Sequence, residues 1–125
     1  LASSGERSSG ESWQIGIQRP RASSSAPLNT FSISDRAAAT SGDYMHTFSD
    51  DFAAHHIIDP RRGRSSTELA SATVVAASAM LADALATALM VMDSGSGLSL
   101  VESLAGCEAH LITKDLRIRQ SSGWL

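Results

Sequence analysis

The sequence predicts an α+β fold: a largely antiparallel sheet with one buried helix and a second short helix. Three observations carry that expectation. Before residue 78, apolar and polar residues alternate in several short runs, the period-two signature of half-buried strands. After Ser78 the pattern changes to "AMLADALATALMVMD", a run of strong helix formers. Beyond a second helical stretch the chain returns to alternation in "EAHLITKDLRIRQ". Strands, then helices, then strands is the order of α+β rather than of a repeated parallel βαβ unit.

Taken in order, residues 1–11 are Ser/Gly-rich with interspersed charges and read as a flexible, unpacked end or turn. "SWQIGIQ" (12–18) alternates as a strand. "RPRASSSAP" (19–27) is a loop holding two of the three prolines and a serine cluster. "LNTFSIS" (28–34) alternates again, with Leu28, Phe31 and Ile33 toward the core. "DRAAATSGDY" (35–44) opens as a turn, runs on as a strand of small residues and ends at Gly42. Residues 45–60 hold a polar turn around Ser49–Asp51 between two short apolar pieces, a hairpin-like pattern. Pro60 ends the second piece and pushes Asp59 toward extended geometry. "RRGRSSTE" is an exposed loop. "LASATVVAAS" (69–78) is the clearest strand, centred on Thr73, Val74 and Val75. Ser78 caps the first helix, "SGSG" (94–97) breaks it, and "LSLVESLAG" (98–106) is a shorter amphipathic helix stopped by Gly106. The chain closes in a hairpin around Lys114–Asp115.

Composition narrows the function. At 125 residues the chain suits one domain or part of one, and 42% hydrophobic residues make it globular. A net charge of −3 gives no electrostatic footprint for nucleic acid. The single cysteine, Cys107, rules out an internal disulfide and a cysteine zinc cluster, and reads as a small buried residue. The longest apolar run, 79–92, is too short to cross a bilayer and contains Asp83. Residue 1 is not methionine and no signal peptide is visible, so the sequence is expected to begin inside a longer chain.

Two polar residues interrupt the first helix. Asp83 and Thr87 are four apart, so they share one face, one turn from each other. The helix is apolar nearly all round and is expected in a core, where a carboxylate is costly unless paired, hydrogen-bonded or bound to a cation. Hydrogen bonds from a neighbouring loop and a hard divalent cation both remain open from spacing alone. "HHIIDPRRGR" (55–64) raises a similar choice. His56 beside Ile57 and Ile58 is a general base or ligand, or else a core or rim histidine with a satisfied ring. His46 and His110 read as ordinary surface or strand residues. Asp59 is expected to fix the turn through its side-chain oxygens. Arg61, Arg62 and Arg64 read as solvated charges, with phosphate binding as the functional alternative.

"ATSGDY" (39–44), "HHIIDPRRGR" (55–64), "ATVVAASAMLADALATALMVM" (72–92) and "GLSLVE" (97–102) occur in that order, with "SWQIGIQRP" before them. The set resembles the C-terminal part of the ApbE family of flavin transferases. The resemblance implies that 1–125 is the C-terminal part of an ApbE-like domain with an α+β fold. The implied activity is transfer of FMN from FAD to a threonine of an acceptor flavoprotein, with release of AMP. The implied cofactor is Mg2+, with Ca2+ or Mn2+ as alternatives. Carried over residue by residue, Asp83 and Thr87 become metal ligands, His56 assists proton removal, and Ile57 lies with His56 against the flavin nucleotide. The isoleucines would anchor His56 in the core while its ring reaches the cleft. Ser41, Gly42 and Asp43 fall in a segment near the site and receive no role.

The sequence departs from the family pattern at Ser65, where proline is usual, and in "FSDDFAA", which lacks a common glycine. The family's N-terminal half, with its glycine-rich segment and "AKG" motif, is not in this sequence. A C-terminal fragment with an exposed apolar face, where that half packs, is therefore expected. An FAD pyrophosphatase and a non-catalytic flavin- or metal-binding module are the competing readings. Family habit implies a periplasmic or membrane-anchored lipoprotein, with a cytoplasmic setting as the alternative.

Overall fold

A four-stranded antiparallel sheet is the frame. The computed structural model describes residues 1–23 and 26–125, so two serines of the expected 19–27 loop lie outside the described residues. Among the described residues the elements run β1 (Trp13–Ile17), β2 (Asn29–Ile33), β3 (Ala37–Gly42), β4 (Ile58–Asp59), β5 (Arg64–Ser65), β6 (Leu69–Ala76), α1 (Ala79–Met90), α2 (Ser94–Glu102), β7 (Glu108–Thr113) and β8 (Ile118–Gln120). The main sheet has the order β3-β6-β7-β8, and β1-β2 and β4-β5 are separate two-stranded hairpins. The α+β expectation holds, as do the strands expected from alternation.

β6 explains how the layers stack. All eight of its residues are buried, because both faces of the sheet are covered. On one face Ala72, Val74 and Ala76 pack with Ala82, Leu85, Ala86, Leu89 and Met90 of α1, and with Val101 of α2. On the other face Val75, Ala38 and Ile112 meet Ile17, Phe31 and Ile33 of the β1-β2 hairpin. The alternation of strand side chains thus feeds two small cores instead of one. Thr40 and Thr73, opposite each other in β3 and β6, share a 2.8 Å hydroxyl hydrogen bond. A register shift between Leu69 and Ser71 marks the start of β6 beside β7.

Three sequence expectations need correction. First, "SGSG" does not separate the helices; it opens α2. Asp93 is the N-cap, and its Oδ1 accepts from the Ser96 amide at 2.9 Å. Gly97 is there for proximity, since a Cβ at that position would sit 2.8 Å from Leu89 Cδ2 of α1. Second, "RRGRSSTE" is not wholly loop: Asp59 pairs with Arg64 and Ile58 with Ser65 in a tight hairpin. Gly63 turns it with φ +64. Third, the N-terminal segment is tied down. Ala2 bridges Ala37, and the Ser3 amide donates to Arg36 O at 2.8 Å. The open edge of β3 offers backbone partners that composition does not reveal.

Helix α1 is capped by Ser78, as expected, but only one side of it is buried. Met80 is 81% exposed and Leu81 37%, and Asp83, Ala84 and Thr87 are exposed with them. Its inner face lies on β3 and β6. The outer face is left largely open by the other described residues.

Candidate functional site

The outer face of α1 forms one wall of a cleft of about 580 Å³. Ala84, Thr87, Ala88 and Val91 supply that wall, Ser41 comes from β3, and His56, Ile57, Ile58 and Pro60 close the other side. The cleft is apolar along most of its length, with its polar groups at Ser41, Thr87 and His56. Ser41 Oγ and Thr87 Oγ1 are 3.0 Å apart, a hydroxyl pair that joins β3 to α1. Asp83 lies one turn before Thr87 on the same exposed face, outside the residues that line the cleft. Its carboxylate has no ion-pair partner among the described residues.

The histidine pair divides between the interior and the cleft rim. His55, not His56, is the interior residue: it is 0% exposed. Its Nε2 lies 3.0 Å from Ser66 O. Burial pushes the His55 pKa below its ordinary value, with the backbone bond to Ser66 partly opposing the shift. His56 is exposed on the cleft rim. Its amide and its Nδ1 both approach His46 O, at 3.1 Å and 3.3 Å. The two isoleucines also separate, Ile57 buried and Ile58 49% exposed. In an extended segment successive side chains point to opposite sides, so His55 and Ile57 go inward while His56 and Ile58 face out.

Asp59 does what the turn chemistry predicts. Its Oδ1 accepts from the Arg61 amide and from Arg61 Nε, each at 3.0 Å. Those bonds, the Arg61 side chain first, hold its carboxyl below the usual carboxylate range. Arg61 is not merely solvated, because its Nη2 also donates to Val91 O at the end of α1, where a cation meets the negative end of the helix dipole. One guanidinium thereby fixes the 58–65 hairpin to the helix that carries Thr87.

Asp43, left without a role by sequence reasoning, proves to be an anchor. It is 0% exposed and takes a fork of two 2.7 Å hydrogen bonds from Arg21. Lys114 Nζ lies 3.0 Å from Oδ2, which it shares with Arg21, and also donates to Phe52 O at 2.5 Å. The Arg21 guanidinium sits 3.7 Å over the Phe52 ring. Arg21 and Phe52 both adopt left-handed φ, 65° and 59°, conformations uncommon for residues with a Cβ. The cluster ties the loop after β1, the loop before His56 and the β7-β8 turn to the end of β3. Its partners are far apart in sequence, so no local pattern could have revealed it.

The remaining histidines split. His46 is exposed, with its ring edge-on to that of His56 at 5.2 Å. His110 is a strand residue but fully buried. Its ring nitrogens have no hydrogen-bond partner among the described residues, and Trp124 lies against it at 5.3 Å. Cys107 is buried, as expected. Among the described residues no group of three or more His, Cys, Asp or Glu is placed to hold a metal, and no helix is long and apolar enough to cross a membrane.

Known proteins resemble this chain in sequence and in fold. The FAD:protein FMN transferase of Treponema pallidum is 35% identical over 113 residues, covering 89% of this chain and 31% of the relative. That of Vibrio cholerae is 40% identical over 96 residues, covering 75% and 29%. The crystal structure of the ApbE protein of Thermotoga maritima matches with a TM-score of 0.81 at 32% identity, over 94% of this chain and 38% of that one. The flavin transferase ApbE of Vibrio cholerae matches with a TM-score of 0.76 at 33% identity, over the same shares. The chain therefore spans about a third of the length of the curated relatives it matches. The sequence model of the ApbE family covers residues 1–111, which takes in both helices and the whole cleft: the chain belongs to the ApbE family.

Proposed function

We propose that this chain forms the C-terminal part of an FAD:protein FMN transferase, contributing one side of the site where FMN passes from FAD to a threonine of an acceptor flavoprotein. The observation that carries the reading is the meeting of His56, Ile57, Ser41 and Thr87 around one cleft, with Asp83 one turn away. Two of the relatives that support it are FAD:protein FMN transferases.

The donor set suits a hard cation. The Asp83 carboxylate and the Thr87 hydroxyl are oxygen donors on one exposed helical face, and Ser41 Oγ stands 3.0 Å from Thr87 Oγ1, the chemistry magnesium takes. Asp83 and Thr87, with Ser41 beside Thr87, are the residues that would hold such an ion. A bound divalent cation supplies charge neutralisation at the pyrophosphate and at the departing AMP. His56 accepts the proton of the acceptor hydroxyl as its oxygen bonds to the FMN phosphorus and the bond to AMP breaks. Ile57, Ile58, Ala84, Ala88 and Val91 provide an apolar surface for a planar ring and exclude water from the reacting end.

The test fuses this chain behind the N-terminal part of the Treponema pallidum relative. The fusion is incubated with FAD, magnesium and an acceptor flavoprotein, and the products are resolved on a denaturing gel. A fluorescent acceptor band is expected, lost by about 100-fold or more in Asp83→Ala, as for removal of a group that stabilises developing charge. Free FMN and AMP with an unlabelled acceptor would assign hydrolysis of FAD instead. No turnover of FAD would sink both readings.

A further inference from the structure

We propose that His55 and the backbone carbonyl of His46 act as positioning groups that hold His56 in its Nδ1–H tautomer, keeping the Nε2 lone pair free on the cleft rim. The functional value of this arrangement rests on the reading of His56 as proton acceptor; the arrangement itself does not. A carbonyl oxygen only accepts hydrogen bonds. His46 O lies 3.1 Å from the His56 amide and 3.3 Å from His56 Nδ1, so Nδ1 carries the proton and the neutral ring keeps Nε2 bare. A backbone oxygen here does what a carboxylate does in a catalytic triad: it selects the tautomer and the ring orientation. The His46 ring, edge-on at 5.2 Å with an interplanar angle of 89°, limits the remaining ring rotation.

That carbonyl works only if residues 46 and 56 stay together, and His55 is the bolt. Thr47 bridges His55, and the Phe48 amide donates to Ala54 O at 2.7 Å. On its other side the His55 amide donates to Ser65 Oγ at 2.8 Å, and that hydroxyl donates back to His55 O at 2.6 Å. The buried ring completes the fastening. Nε2 faces the Ser66 carbonyl at 3.0 Å, so here Nε2 holds the proton, and the bare Nδ1 accepts a longer bond from the Ile57 amide at 3.4 Å. Adjacent histidines are thus fixed in opposite tautomers, one to lock the segment and one to present a base. An exposed histidine without such partners interconverts between both forms.

The experiment is two-bond 1H–15N NMR of the 125-residue chain labelled at its histidine ring nitrogens, recorded above about pH 7.5, where neutral imidazole dominates. His56 is expected to show a protonated Nδ1 and a bare Nε2, and His55 the reverse. His56 found as Nε2–H, or averaged as in a free peptide, overturns the proposal. His55→Phe keeps the ring volume and removes both nitrogens; a severalfold rise in the Nε2–H share of His56 is expected. A folded variant with His56 unchanged removes His55 from the assignment. Should His55→Phe not fold, His55→Asn, which drops only the Ser66 bond, decides: a raised Nε2–H share supports the role and an unchanged share overturns it. Failure of the transfer assay with the tautomers as described would overturn the proposed function alone.

Discussion

The two faces of α1 differ more than their composition suggests. The inner face, Ala82, Leu85, Ala86, Leu89 and Met90, is at most 8% exposed and lies on β3 and β6. The outer face carries Met80, Asp83, Ala84 and Thr87 and is open. Both are rich in alanine and long apolar side chains, yet one is fastened to the sheet and the other borders a cleft. The contrast separates residues that hold the fold from residues free to serve a ligand.

The comparison can be broken first on its packed side. Leu89→Ala should cost about 2–5 kcal/mol, because Leu89 is fully buried and the small residues around it collapse poorly into the space left. Chemical denaturation measures it, and a loss under about 1 kcal/mol would mean that the inner face is not the core.

Asp43→Ala comes next and shows that a polar residue can belong to the packed side. It leaves Arg21 and Lys114 without their buried partner, but each of their side chains keeps 21% exposure. The loss should therefore sit near the low end for a broken buried ion pair, about 3 kcal/mol. The same denaturation curve reports it, and proteolysis should find the 45–55 loop more accessible.

A smaller effect comes from acid. Burial pushes the pKa values of His110 and His55 below their ordinary value of 6.5. The unfolded chain therefore binds protons that the folded rings refuse, and stability is full above about pH 6.5 and declines as pH falls below it. His110→Phe should flatten that decline, because the ring nitrogens it removes have no partner among the described residues. An unchanged pH slope would show that the ring is not held neutral.

The smallest structural effect belongs to the outer face. Asp83→Ala should change stability by no more than about 0.5 kcal/mol, as usual for an exposed helical position, while abolishing flavin transfer in the fused enzyme. Large destabilisation would place Asp83 on the wrong side of the comparison.

Much of this protein was legible in its sequence. Period-two alternation gave β1, β2 and the β7-β8 hairpin, and the Ser78 cap located α1, because these depend on residues a few positions apart. The order of four short motifs pointed to the family. What failed was whatever depends on neighbours from elsewhere in the chain. "SGSG" looked like a breaker because Gly97's close approach to Leu89 exists only once the helices pack. Asp43 showed no signal because Arg21 and Lys114 reach it from distant segments. In the histidine pair, residue types alone could not say which ring goes inward.

The sequence by itself determined the local geometry: where strands alternate, where a helix starts, and which side chains carry chemistry at helical spacing. Tertiary structure alone decided exposure and partnership: that α1 is covered on one side, that His55 is locked while His56 stands on the rim, and that Asp43 is held by two cations. The reason is physical. Backbone preference is set over a few residues, whereas solvent exclusion and ion pairing depend on what distant parts of the chain bring to the same place.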